Sequence, residues 1–162
     1  YKCFASTRKV KEHEKYLLHV GARKVVDADE YIGNASLYKG LDTEQWDAVI
    51  DCVGGDIVHR ALSQLRYAGV YVSVGIAGGP FLSTSLLPFV RRGVRLVGVD
   101  TSRASDEERS AAWMDWGKSS AQAVFRSDMA VSCVGLRGIP SAAQKMLKSE
   151  GQGRIVIDIA EM

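Results

Sequence analysis

The sequence predicts an α/β fold: a parallel sheet with helices on both faces. Three observations carry the prediction. Short apolar runs alternate with amphipathic stretches along the 162 residues. The runs, such as Ala48-Val49-Ile50 and Val70-Tyr71-Val72, are apolar enough to be buried on both sides, as parallel strands are. At 46% hydrophobic and 25% charged, the chain suits a single hydrophobic core.

The elements follow in order. Residues 1–6 read as an opening strand. Residues 9–20 read as a helix with Val10, Tyr16, Leu17 and Val20 on one face and Gly21 as its stop. Residues 24–26 form a short buried strand, and residues 27–45 a polar loop with one weak helical turn. WDAVIDCV, residues 46–53, is a strand closed by Gly54-Gly55. Asp56 then caps a helix whose Ile57, Ala61, Leu62 and Leu65 share a face, and Gly69 ends that unit. Residues 70–74 are a strand ending at Gly75. After a Gly/Pro-rich loop comes another strand, Val94 to Val99. Ser105-Asp106-Glu107-Glu108 reads as a capping box opening a helix whose Trp113 and Trp116 are expected as core anchors. Pro140 starts the last helix, Gly151 ends it, and residues 154–159 form the final strand.

Charge and composition exclude several classes. With 21 Lys+Arg against 19 Asp+Glu, the net charge of +2 argues against a nucleic-acid backbone or an anionic membrane as the main partner. No apolar run is long enough to span a bilayer, and no signal-peptide pattern opens the chain. Cys3, Cys52 and Cys133 are odd in number and lack CxxC spacing, so neither a disulfide framework nor a structural zinc site is expected, and the reducing cytoplasm is the expected compartment. His13, His19 and His59 each stand alone on a helix, and no metal-ligand spacing occurs. Arg91, Arg92 and Arg95 read as a modest basic patch, solvated or, as the lesser alternative, touching a phosphate. GxSxG, HExxH and P-loop lysine motifs are missing.

Right-handed crossovers place the loops after parallel strands on one edge, and ligands of such sheets bind outside the carboxyl ends of the strands. The first strand ends in Ser6-Thr7-Arg8-Lys9. In a dinucleotide-binding fold, hydroxyls with an Arg at this point accept a 2′-phosphate, and no neighbouring carboxylate is expected to repel it. Taken alone, the segment reads rather as a basic first helical turn facing water, because surface Lys and Arg are common. The second strand end is Asp51-Cys52-Val53-Gly54-Gly55, where paired glycines permit close backbone approach or simply a tight turn. Asp47 and Asp51 fit strand-edge or helix-capping positions. The third is Gly75-Ile76-Ala77-Gly78-Gly79-Pro80, either a turn or a set of amides able to hold a nicotinamide carboxamide. A methyltransferase with a similar sheet would want a carboxylate where Ser-Thr-Arg-Lys stands.

DAVIDCVGG, LRYAGVYVSVGIAGG and LSTSLLPFVRRGVRLVGVDTS together resemble the zinc-independent quinone oxidoreductases of the medium-chain dehydrogenase/reductase superfamily, in particular the acryloyl-coenzyme A reductase-like branch. KYLLHVGARKVVDADEY and EGQGRIVIDI are similar to the same branch, so the resemblance spans almost the whole chain and is weakest between about Trp116 and Gly138. It implies a Rossmann-like NADPH-binding domain over residues 1–162, with residues 154–162 as a strand returning toward a catalytic domain. It implies that Ser6, Thr7 and Arg8 take the 2′-phosphate, that Val53 and Gly54 lie along the cofactor, that Ile76, Ala77 and Gly78 meet the nicotinamide end, and that Arg154 is a further contact. It also implies a homodimer through the Val94 to Val99 strand, and reduction of an activated C=C bond of a quinone or an acryloyl-type substrate.

The family's first cofactor-domain strand and its glycine-rich phosphate loop would precede Tyr1, so the sheet is expected to be incomplete at its N-terminal end. The strands at residues 1–6 and 47–53 would then pair with each other, meet another chain, or flank residues upstream of this sequence. No residue stands out as a proton donor, and the catalytic set is left empty. The alternative is a non-catalytic, dimerising remnant of the same fold.

Overall fold

The computed structural model describes residues 2–34, 39–118, 131–148 and 150–161; Tyr1, expected in the opening strand, lies outside them. In chain order the elements are β1 (Phe4–Thr7), α1 (Val10–His19), β2 (Lys24–Asp27), α2 (Ala28–Ile32), β3 (Trp46–Asp51), α3 (Asp56–Ser63), β4 (Leu65–Ser73), α4 (Leu87–Arg92), β5 (Arg95–Gly98), α5 (Asp106–Gly117), β6 (Val131–Gly135), α6 (Ile139–Leu147) and β7 (Arg154–Asp158). Every strand pair is parallel, in the orders β1-β2, β3-β4-β5 and β6-β7. This is the expected α/β, Rossmann-like architecture. β1 and β3 belong to different sheets, so the first of the three expected arrangements, direct pairing between them, is not the one adopted. No helix among the described residues is long and apolar enough to cross a membrane.

The chain divides into two compact units, Tyr1–Asp27 with Glu107–Met162, and Ala28–Asp106. In the first, β1 pairs with β2 from Phe4↔Lys24 to Thr7↔Asp27, and β6 pairs with β7 from Val131↔Arg154 to Gly135↔Asp158. Strand β6 was not expected from the sequence. Trp113 and Trp116 correct an expectation: they are 64% and 39% exposed and pack edge-on against each other, ring centroids 5.7 Å apart. Spacing of i,i+3 puts two rings on one helix face, and here they pack on each other while both remain exposed.

The second unit is built around α3. Val58, Ala61 and Leu62 on one face of that helix pack with Leu65 and Tyr71 of β4 and with Val94; Tyr31, Trp46, Val49, Ile57 and Phe89 complete the cluster. Leu62, Leu65 and Tyr71 are fully buried, each large apolar side chain contributing on the order of 1.5–3 kcal/mol. Helix α3 ends earlier than Gly69, because Gln64 caps it and Leu65 already pairs with Trp46. The next pair is Ala48↔Val70, so residues 66–69 bulge out, with Ala68 at φ +59°. The start of α3 differs too: Gly55, not Asp56, is the N-cap, and no side chain caps the helix.

A polar network closes this unit. Gln64 is 1% exposed; its Oε1 accepts from the Tyr31 hydroxyl at 2.7 Å and from Trp46 Nε1 at 3.2 Å. Arg92 is not part of a solvated patch. Its guanidinium donates to the carbonyls of Ser63 (2.8 Å), Leu65 (3.0 Å) and Asp42, and pairs with Glu44 at 3.2 Å. A planar fork with several donors suits the unpaired carbonyls that a helix end leaves.

Candidate functional site

The loops after β3 and β4 leave adjacent parallel strands at their carboxyl ends and close onto each other. Val74 N–H and Gly75 N–H donate to the Asp51 carbonyl at 2.7 and 3.3 Å, and Gly78 N–H donates to the Val53 carbonyl at 2.6 Å. Gly54 and Gly79 form a parallel bridge. Both glycines of the GG pair have positive φ, +70° and +69°. A Cβ at Gly54 would lie 2.7 Å from the Gly79 carbonyl oxygen, and one at Gly55 2.9 Å from that of Gly78. One at Gly75 would lie 2.4 Å from the Cys52 carbonyl oxygen. The close approach that these glycines permit is therefore between two stretches of backbone.

Asp51, the last residue of β3, holds the first loop. Its Oδ1 accepts from Val53 N–H and its Oδ2 from Gly54 N–H, both at 2.9 Å. Tyr71, in the next strand, has a buried hydroxyl with no hydrogen-bond partner of ordinary geometry. Burial first, and the Asp51 carboxylate second, push the phenol well above its usual range, so it stays protonated. Sequence reasoning gave Asp51 no role. The signal that marks it is an Asp placed two and three residues before backbone amides that must turn, the pattern of an Asx turn.

Of the expected cofactor residues, Val53, Gly54, Ile76, Ala77 and Gly78 come together in this loop pair. Gly54 is buried, whereas Val53 and Ile76 are 40% and 63% exposed. The amides of Ile76 and Ala77 have no intramolecular partner among the described residues. They are uncommitted donors beyond the carboxyl end of β4.

Ser6, Thr7, Arg8 and Arg154 belong to the other unit. Ser6 and Arg8 are exposed at the carboxyl end of β1. Thr7 Oγ1 accepts from Lys9 N–H at 3.1 Å, which leaves its hydroxyl proton to donate elsewhere. One expectation is corrected: a carboxylate does stand nearby, because Asp27 is the register partner of Thr7 on β2. The pairing is non-local, and the sequence gave no indication of it. Arg154 opens β7 and lines an open cleft of about 230 Å³ with Met146, Gly151, Gln152, Gly153 and Ile155. Gln152 Nε2 donates to the Glu12 carbonyl at 2.7 Å, which ties this GQGR segment to the first turn of α1.

A family model described as zinc-binding dehydrogenase matches residues 5–116. The chain belongs to this family. It is 32% identical over 152 residues to the acrylyl-CoA reductase AcuI of Ruegeria pomeroyi, covering 91% of this chain and 44% of the relative. The yhdH oxidoreductase of Salmonella enterica, solved in complex with NADP, superposes with a TM-score of 0.87 at 28% identity over 98% of this chain and 47% of its own. The yhfP protein of Bacillus subtilis, solved with NAD bound, gives a TM-score of 0.84 at 28% identity, with the same coverage of 98% and 47%. The chain spans about half the length of the curated relatives it matches. Despite the family's description, no group of three or more His, Cys, Asp or Glu among the described residues is placed to hold a metal ion. The described residues therefore do not fit a zinc site.

Proposed function

We propose that this chain is the NADPH-binding portion of a zinc-free oxidoreductase that reduces an activated carbon–carbon double bond, in an enoyl thioester of the acrylyl-CoA type or in a quinone. The observation that carries the reading is the loop pair at the carboxyl ends of β3 and β4, with the Ile76 and Ala77 amides uncommitted. Two neighbouring donors on a rigid loop suit the single carbonyl oxygen of a carboxamide. Val53 and Ile76 offer apolar surface beside them, and Gly78 leaves that surface clear of a side chain. Ser6, Thr7 and Arg8 take the 2′-phosphate, the guanidinium as a charge-assisted fork and the hydroxyls as neutral donors. Arg154 is a further contact to the nucleotide. When bound, the reduced nicotinamide supplies a hydride to the electrophilic β-carbon; the residues of this chain orient it and none is assigned as proton donor.

The names of the two most similar relatives cited above, a reductase of acrylyl-CoA and an oxidoreductase solved with NADP, support this reading. The outer edge of β5, with Leu96 and Val97 40% and 43% exposed, is the proposed homodimer contact, each copy extending the other's sheet. Three exposed, unpaired cysteines fit a reducing compartment, and we assign the protein to the cytoplasm.

Calorimetric titration of the chain with NADPH and NADH tests the reading. Tighter NADPH binding that disappears in Arg8→Ala supports it. Equal affinity for both nucleotides removes the 2′-phosphate assignment, and binding of neither favours the non-catalytic remnant of the fold.

A further inference from the structure

Asp51 is the one charged side chain that is buried among the described residues, at 6% exposure. A buried carboxylate is costly unless its lone pairs are met. Here each oxygen takes one amide of the Val53-Gly54 turn, and the main-chain carbonyl of the same residue takes the two amides that open the β4 loop. One residue thus bonds to both loops. Val53, fixed at its amide by Asp51, passes the constraint on, because its carbonyl receives Gly78 N–H at 2.6 Å. The amides left uncommitted, Ile76 and Ala77, lie between Gly75 and Gly78, the two points where the second loop is held.

We infer that Asp51 is a positioning residue for the nicotinamide end of the nucleotide. It touches no ligand atom. It acts through backbone, holding the first loop so that the second presents the Ile76 and Ala77 amides in one fixed arrangement. The inference rests on the nucleotide reading above and deepens it. Because the candidate 2′-phosphate residues Ser6, Thr7 and Arg8 belong to the other unit, the effect of Asp51 is confined to ligands that carry the nicotinamide.

The test uses two ligands and the 162-residue chain. Affinities for NADPH and for 2′,5′-ADP, which lacks the nicotinamide, are measured for the wild type, Asp51→Asn and Asp51→Glu. Asn offers one acceptor where two amides need one each, and Glu moves the charge by a methylene. Both variants are expected to weaken NADPH roughly tenfold or more while leaving 2′,5′-ADP unchanged. Equal weakening of both ligands, which a merely structural role would give, overturns the inference, as does unchanged NADPH affinity. A measurement on the wild type stands independently of whether the variants fold. Amide exchange by NMR is expected to be at least tenfold slower at Val53 and Gly54 than at Ile76 and Ala77. Equal rates overturn the inference. If the wild type binds neither ligand, the nucleotide reading falls and the inference with it; if it binds both, and Asp51→Asn binds both as tightly, the inference alone falls.

Discussion

Replacing Gly54 by Ala is expected to be among the most damaging one-carbon changes in the second unit, and the structure separates the causes. At φ +70° an L side chain costs about 1–2 kcal/mol. The new Cβ would also lie 2.7 Å from the Gly79 carbonyl oxygen, a backbone atom that moves only if the loop pair opens, which adds roughly 1–3 kcal/mol of overpacking. The sum, about 2–5 kcal/mol, is a large share of the stability of a small domain. Two other glycines isolate the parts. Gly93, at φ +58° with nothing within 4 Å of a Cβ, is expected to show only the conformational cost in Gly93→Ala. Gly75 has no positive φ but a Cys52 carbonyl at 2.4 Å, so Gly75→Ala shows only the collision. Urea unfolding followed by Trp46 fluorescence, in a background where the exposed Trp113 and Trp116 are Phe, reports on the unit that holds all three glycines. A Gly54→Ala loss no larger than that of Gly93→Ala would refute the claim that these glycines serve loop-to-loop contact.

Further outcomes follow from the same geometry. Ala68→Gly relieves a non-glycine residue at φ +59° and is expected to raise stability by about 0.5–1 kcal/mol in thermal unfolding, after the entropy glycine loses on folding is counted. Gln64→Leu removes the acceptor of the Tyr31 hydroxyl and is expected to cost about 1–3 kcal/mol by urea unfolding. Asp42 gives a pH dependence. The Thr43 amide first, and the Arg60 guanidinium after it, hold its carboxyl below the ordinary value of 3.8. A depressed folded value favours the ionised form in the fold, so the contribution is present above that range and lost as pH falls below it. The unfolding midpoint should therefore drop in acid, and Asp42→Asn should flatten the acid limb.

Much of the fold was legible because its signals are local. The alternation of apolar runs and amphipathic helices located β1 to β5, α1 and α3, and the described part of the polar segment after Lys24-Val25-Val26 holds the short helix α2. What escaped is non-local. Strand β6 (VSCVG) is too mixed to stand out, with Ser132, Cys133 and Gly135 among its five residues, and it is a strand because β7 supplies its ladder. Residues 66–69 form a bulge because Leu65 is captured beside Trp46 under α3, which overrides the stop signal of Gly69. Arg92 read as solvated because its partners, the carbonyls of Asp42, Ser63 and Leu65, are distant in sequence or at the end of another helix. At the site, the glycines announced the loops, but Asp27 beside Thr7 is visible only once β1 and β2 are in register.

The glycine pair shows why a motif can be located correctly and understood incompletely. From sequence alone, Gly54-Gly55 means either room for a ligand or a tight turn. The structure gives a third meaning, room for another loop, and this changes which atoms a ligand can use. Val53 and Gly54 donate their amides to Asp51, and Gly78 donates to Val53, so these three donors are spent within the chain. What the motif delivers is a fixed backbone surface in which the second loop's Ile76 and Ala77 amides stay unspent. Successive backbone amides on one loop can meet an anion or a neutral carbonyl oxygen, and the exposed apolar Val53 and Ile76 beside them favour the neutral group. On the reading proposed above, the loop pair is accordingly suited to the neutral end of a dinucleotide.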